Sequence, residues 1–206
     1  MAIQSFANLE TEALFTTGKS RRFGNIARVA ERKLAQLDAA PSVNFMKAPP
    51  GNDLKEYDGA WHVRIIEQWR LTFKWGPSGP YDVLIEDPHR NVRVQKINLN
   101  SHGAIMFKNG MRPVHPGEIL LEDYIKPMGV SVRAVAIALH VPYSRLSEIT
   151  KGERGVTADT ALRLERYFGS EAQGWLNLQS AYELRVAETS VGKTIAKEIK
   201  PLALEA

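Results

Sequence analysis

The sequence predicts two domains of different class: an α+β domain over residues 1–90 and an all-α domain over residues 111–188. Two observations carry this division. The apolar pattern of the first half begins with helical spacing and changes to the alternation of β-strands, whereas the second half keeps helical spacing throughout. The stretch between them, residues 91–110, follows neither pattern, which marks it as a linker. Residues 189–206 are predicted to be a polar tail.

The composition is that of a globular protein and excludes several kinds of site. Of the 206 residues, 44% are hydrophobic and 24% are charged. Cysteine is absent, so there is no disulfide, no thiol nucleophile and no thiolate metal site. No segment reaches the apolar length of a membrane span and the N-terminus lacks a signal-peptide core, so we expect a cytoplasmic protein of bacterial type without membrane contact. The net charge of +4 is compatible with nucleic acid but is not evidence for it.

The helices of the first domain are indicated by caps and by three-to-four spacing. Residues 3–6 are expected to form a short strand, and Asn8 is placed to cap a helix that ends near Gly18. A longer helix then runs over residues 18–40 until Pro41 ends it, and the segment 48–53 is predicted to be a rigid turn without regular structure. The apolar face of the long helix consists of Ile26, Val29, Ala30, Leu34 and Leu37. Basic residues surround it, a pattern typical of a solvated helix face: Lys19, Arg21, Arg22, Arg28, Arg32 and Lys33.

From residue 54 the period changes to two, which predicts an antiparallel sheet of four strands. The strands are expected over residues 54–57, 61–66, 69–75 and 81–86, with one apolar face packed on the helices. The other face collects Lys55, His62, Arg64 and Arg70. Guanidinium groups bind phosphate oxygens in a bidentate manner, so this face is a candidate phosphate site. A solvated face with Arg–Glu pairs is the equally weighted alternative.

The stretch Ser131–Gly155 is predicted to form a helix-turn-helix. Ser131 can cap the first short helix. Pro142 breaks that helical pattern and is well suited to begin the second helix, which Gly152 closes. In a helix-turn-helix the second helix enters the major groove of DNA.

The second helix of this motif presents polar side chains, because Leu146 and Ile149 anchor its inner side. Arg145 can donate two bonds to a guanine edge, and a plain surface arginine is the alternative that we consider less favoured within this motif. Glu148 is expected to orient Arg145 or another partner. The remaining candidates reach bases or phosphates. The candidate DNA-binding residues are Ser131, Arg133, Tyr143, Ser144, Arg145, Ser147, Thr150, Lys151 and Arg154.

Three more helices complete a predicted five-helix domain. The first begins at Pro116 and ends at Pro127, the second is capped by Thr157 or Asp159, and the last spans residues 171–188. Core candidates of the last two are Ala161, Leu162, Leu164, Tyr167, Phe168, Trp175, Leu176, Leu178, Tyr182 and Leu184.

Three runs of the first domain carry a specific resemblance: PPGNDLKEYDG, WHVRIIEQWRLTFKW and YDVLIEDPHR. With the GKS-R-F opening of the long helix, they resemble the HigB branch of the RelE-type toxins, which are ribosome-dependent mRNA endonucleases. The resemblance implies two helices over a twisted antiparallel sheet and cleavage through the 2′-hydroxyl of the RNA, without metal or cofactor. It also implies mRNA on the ribosome as a partner.

Carried over to this sequence, the resemblance assigns catalytic roles to basic residues. Arg64 and Arg70 match basic residues of the family's sheet and would hold the scissile phosphate. His89 matches the histidine of a terminal Asp-Tyr-His motif, and an unperturbed pKa of about 6.5 suits acid or base work. The weaker assignments are Lys55 and His62. Two departures, Pro88 for tyrosine and Ile66 for asparagine, predict reduced RNase activity.

The runs RPVHPGEIL, ITKGERGVTADTALRLERYFG and WLNLQSAYEL resemble HigA antitoxins of the xenobiotic-response-element repressor class, with a lambda-repressor-like fold. The resemblance implies operator DNA and the toxin domain as partners, the latter within or between chains, and a homodimer through the C-terminal domain. Met106 or Met111 resembles an original start, and residues 92–105 a translated spacer. As a flexible tether of ~20 residues, the linker would have a root-mean-square reach of about 25 Å. The alternative is that part of the linker forms an added strand.

Two functions follow from these resemblances. One is a fused toxin–antitoxin module, in which an RNase domain is restrained by its own tethered repressor. The other is a transcriptional repressor that carries a catalytically impaired toxin domain as a dimerisation or corepressor surface. Retained Arg64, Arg70 and His89 favour the first, and Pro88 and Ile66 favour the second.

Overall fold

The computed structural model describes residues 2–88 and 107–201, called here the first and second halves. The first half starts with helix α1 (Leu9–Thr17), capped by the Asn8 side chain, which accepts from the backbone N–H of Thr11 at 2.8 Å. Helices α2 (Ala27–Ala39) and α3 (Val43–Lys47) follow. The long predicted helix therefore begins nine residues later than expected, because residues 18–26 bend through turns. A single 3-10 turn at Pro50–Asn52 corrects the expectation of no regular structure there.

Four strands form an antiparallel sheet in the order β1-β2-β3-β4. They are β1 (Lys55–Tyr57), β2 (Ala60–Arg64), β3 (Arg70–Gly76) and β4 (Gly79–Glu86), joined by short turns. Residue Phe6 adds one parallel bridge to β4, at Val83, where the short first strand was expected. The inner face of the sheet is buried under the helices, as predicted.

The second half is helical. Helix α4 (Pro116–Ile119) continues in wider turns through Leu120–Ile125. The helix-turn-helix consists of α5 (Val132–Ala138) and α6 (Tyr143–Lys151), and α7 (Ala158–Phe168) follows it. Helix α8 (Ala172–Ser190) runs into the predicted tail, which contains a further short helix, α9 (Gly192–Glu198).

Three predicted core residues of the second half are exposed instead. Leu162 is 60% exposed, Tyr167 41% and Leu184 64%. In α7 the buried stripe is narrower than the apolar pattern, because it consists of Thr160, Ala161 and Leu164. None of the described helices is long and apolar enough to cross a membrane.

The two halves share one hydrophobic core. Phe107, inside the predicted linker, packs edge-on against Phe6 with ring centroids 5.0 Å apart. The backbone N–H of Gly110 donates to the carbonyl of Phe15 at 2.8 Å. Residues 107–110 of the predicted linker therefore lie against the first half, while the rest of it, with Met106, His89 and the alternative strand, lies outside the described residues.

Candidate nucleic-acid interfaces and the contact between the halves

The helix-turn-helix forms for the local reasons that the sequence indicates. The Ser131 hydroxyl accepts from the backbone N–H of Ala134 at 3.1 Å and so caps α5. Gly152 takes the left-handed conformation (φ 78°) that ends α6. The expected inner residues Val135, Leu146 and Ile149 are fully buried. The outer side of α6 is thereby turned to solvent.

The candidate base reader Arg145 has a partner that sequence reasoning did not assign to it. Its guanidinium NH1 lies 2.8 Å from a carboxylate oxygen of Asp159, at the start of α7. Arg163 donates to both oxygens of the same carboxylate at 3.1 Å. These hydrogen bonds, first that from Arg163, hold the pKa of Asp159 below its usual range. Asp159 is thus a fixed anion beside α6.

The other candidate DNA-binding residues lie around this surface. The guanidinium of Arg133 lies over the ring of Tyr143, 5.0 Å from its centroid, so α5 and α6 present these two together. Arg154 pairs with Glu148 at 2.6 Å, which makes Arg154, and not Arg145, the partner of Glu148. Ser144, Ser147, Thr150 and Lys151 lie along α6 as exposed or half-buried residues.

The structure brings the basic candidates of the sheet onto one face. Lys55 is opposite His62 between β1 and β2, and Arg64 is opposite Arg70 between β2 and β3. Glu86 continues the second row, opposite Arg70. Like charges that face each other directly across strands are unfavourable, so the pair of Arg64 and Arg70 needs an anion or another compensating partner.

Part of that compensation comes from within the chain. Asp53, which the sequence did not single out, pairs with both Arg64 and Lys55. Hydrogen bonding from Lys55 first, together with the charges of both partners, lowers the pKa of Asp53. Arg70 instead donates from NH1 to the backbone carbonyls of Ile66 and Glu67, at 2.7 and 2.9 Å. The pairs made by Asp53 agree with the ion-paired alternative for this face, and the phosphate site stays a prediction.

A chain of hydrogen bonds crosses the same face. The Thr72 hydroxyl donates to a carboxylate oxygen of Glu86 at 2.8 Å and lies 3.3 Å from Nδ1 of His62. Nε2 of His62 is buried and has no hydrogen-bond partner among the described residues. The ring of Tyr57 packs edge-on near it, with centroids 6.4 Å apart. His62 is therefore oriented by the sheet, and its second nitrogen is covered.

A buried charge network joins the halves. Lys33 and Asp123, 2% and 3% exposed, approach to 2.9 Å between Nζ and Oδ1. Gln36 donates to Oδ2 of Asp123 at 2.7 Å, and Arg32 lies 3.4 Å from that atom. Asn52 accepts from Lys33. Burial lowers the pKa of Lys33 even though Asp123 opposes that shift. The prediction of a solvated helix face is therefore wrong for Arg32 and Lys33.

A second charged cluster borders this network. Arg112 donates two bonds to the carboxylate of Glu118, at 2.8 and 2.9 Å, and one to Glu31 of α2 at 2.9 Å. Burial raises the pKa of Glu31, although Arg112 opposes the rise. At Glu118 burial acts to raise the pKa, but the hydrogen bonds and charges of Arg112 and Arg28 together lower it. The cluster ties α2 to the segment that precedes α4.

Close packing completes the contact. Phe45 of α3 meets Trp175 of α8 edge-on, with centroids 6.1 Å apart. A Cβ atom at Gly174 would lie 2.3 Å from the Phe45 ring, and one at Gly110 would lie 1.7 Å from the carbonyl oxygen of Thr16. Glycine is therefore required where α8 and the 107–111 segment cross the first half.

The contacts between the halves leave both candidate nucleic-acid surfaces outside. The network, the cluster and the packing above use α2, α3 and the Pro50–Asn52 turn on one side and α4, its continuation and α8 on the other. The described candidates of α5 and α6 and of the basic sheet face take no part in them. Sequence reasoning missed the network residues, and the only local signal was that Lys33 shares a helical face with Ala30 and Leu37.

Comparison with known proteins accounts for about half of the chain. The chain is 57% identical over 99 residues to virulence-associated protein I of Dichelobacter nodosus, and the match covers 48% of this chain and 90% of that protein. It is 36% identical over 98 residues to antitoxin HigA-1 of Vibrio cholerae, 47% of this chain and 90% of that protein. No family model matches.

Other matches are to a regulator and to a solved structure. The uncharacterised HTH-type transcriptional regulator YbaQ of Escherichia coli is 34% identical over 80 residues, 39% of this chain and 71% of that protein. The solved Pseudomonas aeruginosa antitoxin HigA with higBA promoter is 46% identical, with a TM-score of 0.44, and is matched over 45% of this chain and all of that one. On the strength of the curated relatives, the chain belongs, over about half of its length, to the HigA-type family of helix-turn-helix antitoxins.

Proposed function

We propose that this chain is a fused toxin–antitoxin module. Its second half binds operator DNA as a repressor, and its first half is a HigB-like, RelE-type domain held by the second half within the same chain. The observation that carries the proposal is the contact between the halves. It buries a matched network of charges centred on Lys33 and Asp123 and leaves α6 exposed.

Repression is supported by family membership and by the surface of α6. The chain belongs with antitoxins, and its further relatives include a protein named as an HTH-type transcriptional regulator. The helix offers Arg145 for base reading and Lys151 for phosphate contact. Operators are read by helix-turn-helix dimers with two half-sites about 34–36 Å apart. We therefore propose that two chains bind one operator, joined through their second halves.

Two substitutions test DNA reading. Arg145→Ala is expected to relax sequence preference at a cost of roughly 1–3 kcal/mol. Lys151→Ala is expected to weaken binding to all sequences alike and to lower the slope of log affinity against log salt by about one. Binding measured on the upstream DNA of the gene and on scrambled DNA separates the two effects. Unchanged binding by both variants would show that α6 is not the reading helix.

For the first half we propose cleavage of mRNA on the ribosome. Arg64 and Arg70 would hold the scissile phosphate, His89 would act as general acid or base, and Lys55 and His62 would have supporting roles. The support is the shared sheet face and the resemblance to RelE-type toxins. Because the contact between the halves leaves that face open, restraint would act by bulk: the attached second half would hinder entry of the sheet into the ribosome.

A repressor with an impaired toxin domain is the second candidate, and specific observations favour it. Arg64 is ion-paired with Asp53 and so is not free for phosphate, and Pro88 replaces the tyrosine expected from the resemblance. Expression of residues 1–90 alone distinguishes the two functions. Growth arrest with mRNA cleavage, lost in Arg70→Ala, would support the enzyme. Normal growth from a soluble fragment with native-like circular dichroism would support the impaired domain.

A further inference from the structure

The strongest unassigned feature is a bridge of three charged residues, Arg145, Asp159 and Arg163, that links the recognition helix to the rest of the motif. Asp159 accepts from Arg145 NH1 at 2.8 Å and from Arg163 Nε at 3.1 Å. The NH1 group of Arg163 in turn donates to the carbonyl of Leu139 at 2.9 Å, at the end of α5. One carboxylate thus connects α5, α6 and α7.

The position of Asp159 is fixed independently of Arg145. It lies in the first turn of α7, where the helix dipole favours an anion and the Thr157 hydroxyl accepts from a backbone N–H as the cap. Arg163 lies four residues further along and grips both oxygens of the carboxylate. Asp159 therefore does not need Arg145 in order to stay in place, whereas Arg145 gains a fixed anchor from it.

A fixed anchor matters for a side chain that reads bases. A free arginine loses much rotamer freedom when it binds, and a held one has less to lose. Arginine has five N–H donors, and the bond to Asp159 uses one of them. Two are enough for the bidentate contact to a guanine edge. The pair with Asp159 is consequently compatible with base reading by the same guanidinium.

We propose that Asp159 is a positioning residue for Arg145 and sets the sequence preference of the recognition helix. This inference rests on the DNA-reading function proposed above. An exposed carboxylate beside the groove repels phosphates and so lowers affinity for any DNA. The benefit is selectivity, because Arg145 is held toward one base position and kept from phosphates. Removing the charge should then affect affinity and preference in opposite directions.

The test uses the full chain and a pool of DNA duplexes that carry a randomised stretch of about 20 base pairs. Bound duplexes are sequenced for the wild type, Arg145→Ala, Asp159→Asn and Glu165→Gln. Glu165 is the matched control, since it is an exposed acid on the same helix and its substitution changes the net charge equally. The base position at which preference vanishes in Arg145→Ala identifies what Arg145 reads.

Asp159→Asn is expected to lower preference at that position by at least about fivefold, the low end of what one base contact provides. Binding to duplexes outside the motif is expected to increase, because a negative charge that repels phosphates has been removed. Glu165→Gln should leave the preference unchanged. Arg163→Gln, which keeps the carboxylate but frees it, should give an intermediate loss, so the inference does not depend on one variant folding.

Two results would overturn the proposal in different ways. The positioning role alone would be refuted if Arg145→Ala abolishes the preference at one position of the motif while Asp159→Asn and Arg163→Gln leave that preference unchanged. A wild-type pool without any enriched motif would refute the DNA-reading function and the inference with it. Thermal unfolding midpoints for each variant accompany the selections, because a merely structural role would lower the midpoint without changing the preference at one position.

Discussion

Replacing Asp123 by asparagine removes the negative centre of the buried network without changing its shape. Lys33 is 2% exposed and loses its counter-charge at 2.9 Å, while the amide oxygen can still accept one bond. Leaving a buried charge without its partner costs about 3–5 kcal/mol. The neighbouring acid provides the control: Glu122 pairs at the surface with Lys126, four residues away, so Glu122→Gln should cost about 0.3–0.5 kcal/mol.

Urea unfolding of the full chain, followed by tryptophan fluorescence, measures both variants. Because the halves share one core, the Asp123→Asn deficit should appear in a single transition or as early release of one half. The loss of unfolding free energy in Asp123→Asn, relative to the wild type, should also become smaller as the pH is raised. Burial already lowers the pKa of Lys33, and loss of Asp123 lowers it further. Between that pKa and the unfolded value the unfolded chain binds more protons, so stability rises with pH.

A deficit below about 1 kcal/mol, similar to that of the surface control, would refute the network as the link between the halves. A double replacement supplies a further check. Lys33→Met combined with Asp123→Leu removes both charges at once, and apolar pairs of similar volume often replace buried ion pairs without loss. The double variant should therefore be more stable than Asp123→Asn. If it is less stable, the polar bonds of Gln36 and Asn52 and the buried charge of Arg32, which also loses Asp123, outweigh the Lys33–Asp123 pair in this contact.

Three further predictions concern packing, protonation and capping. Gly174→Ala places a Cβ atom 2.3 Å from the aromatic ring of α3 and should cost about 1–3 kcal/mol in urea unfolding. Gly24→Ala should be near neutral, since its Cβ would approach the Ser20 carbonyl oxygen only to 3.9 Å, and equal midpoints for the two variants would contradict the tight crossing. Burial raises the pKa of Asp38, so the native state keeps a proton that the unfolded state releases, and stability falls as pH rises from about 4. Asp38→Asn should therefore reduce the dependence of the thermal unfolding midpoint on pH between about pH 4 and 7, and an unchanged dependence would contradict this assignment. Asn8→Ala removes the cap of α1 and should lower the free energy of unfolding by about 1 kcal/mol in the same urea assay. The control Asn44→Ala, at an exposed residue, should change it little, and an equal loss in both variants would show that capping is not the cause.

The features that the sequence predicted well are those with local causes. The cap at Ser131 and the left-handed Gly152 define the helix-turn-helix within a few residues of each other. Strand alternation likewise placed Arg64 and Arg70 on one sheet face. Such signals depend on neighbours in the chain, which a single sequence displays.

The features that the sequence could not predict depend on contacts between distant residues. Lys33 and Asp123 are 90 positions apart, and the charge pattern around α2 is the same whether the helix faces solvent or a second domain. Asp159 was taken only as a cap because its partner Arg145 belongs to another helix. The exposed Leu162 shows the same limit, since the width of a buried stripe is set by what packs on it.

The order of the two halves along the chain gives their contact a timing. The first half is complete at residue 88, but α8, which covers α2 and contacts Phe45, begins at residue 172. At about 5–20 residues per second, the 84 residues from 89 to 172 take roughly 4–17 s to synthesise. During that interval Lys33 lacks Asp123 until residue 123 emerges, and Phe45 lacks Trp175 for longer. The nascent first half is therefore uncovered while it is still attached to a ribosome, and its cover arrives from the same chain.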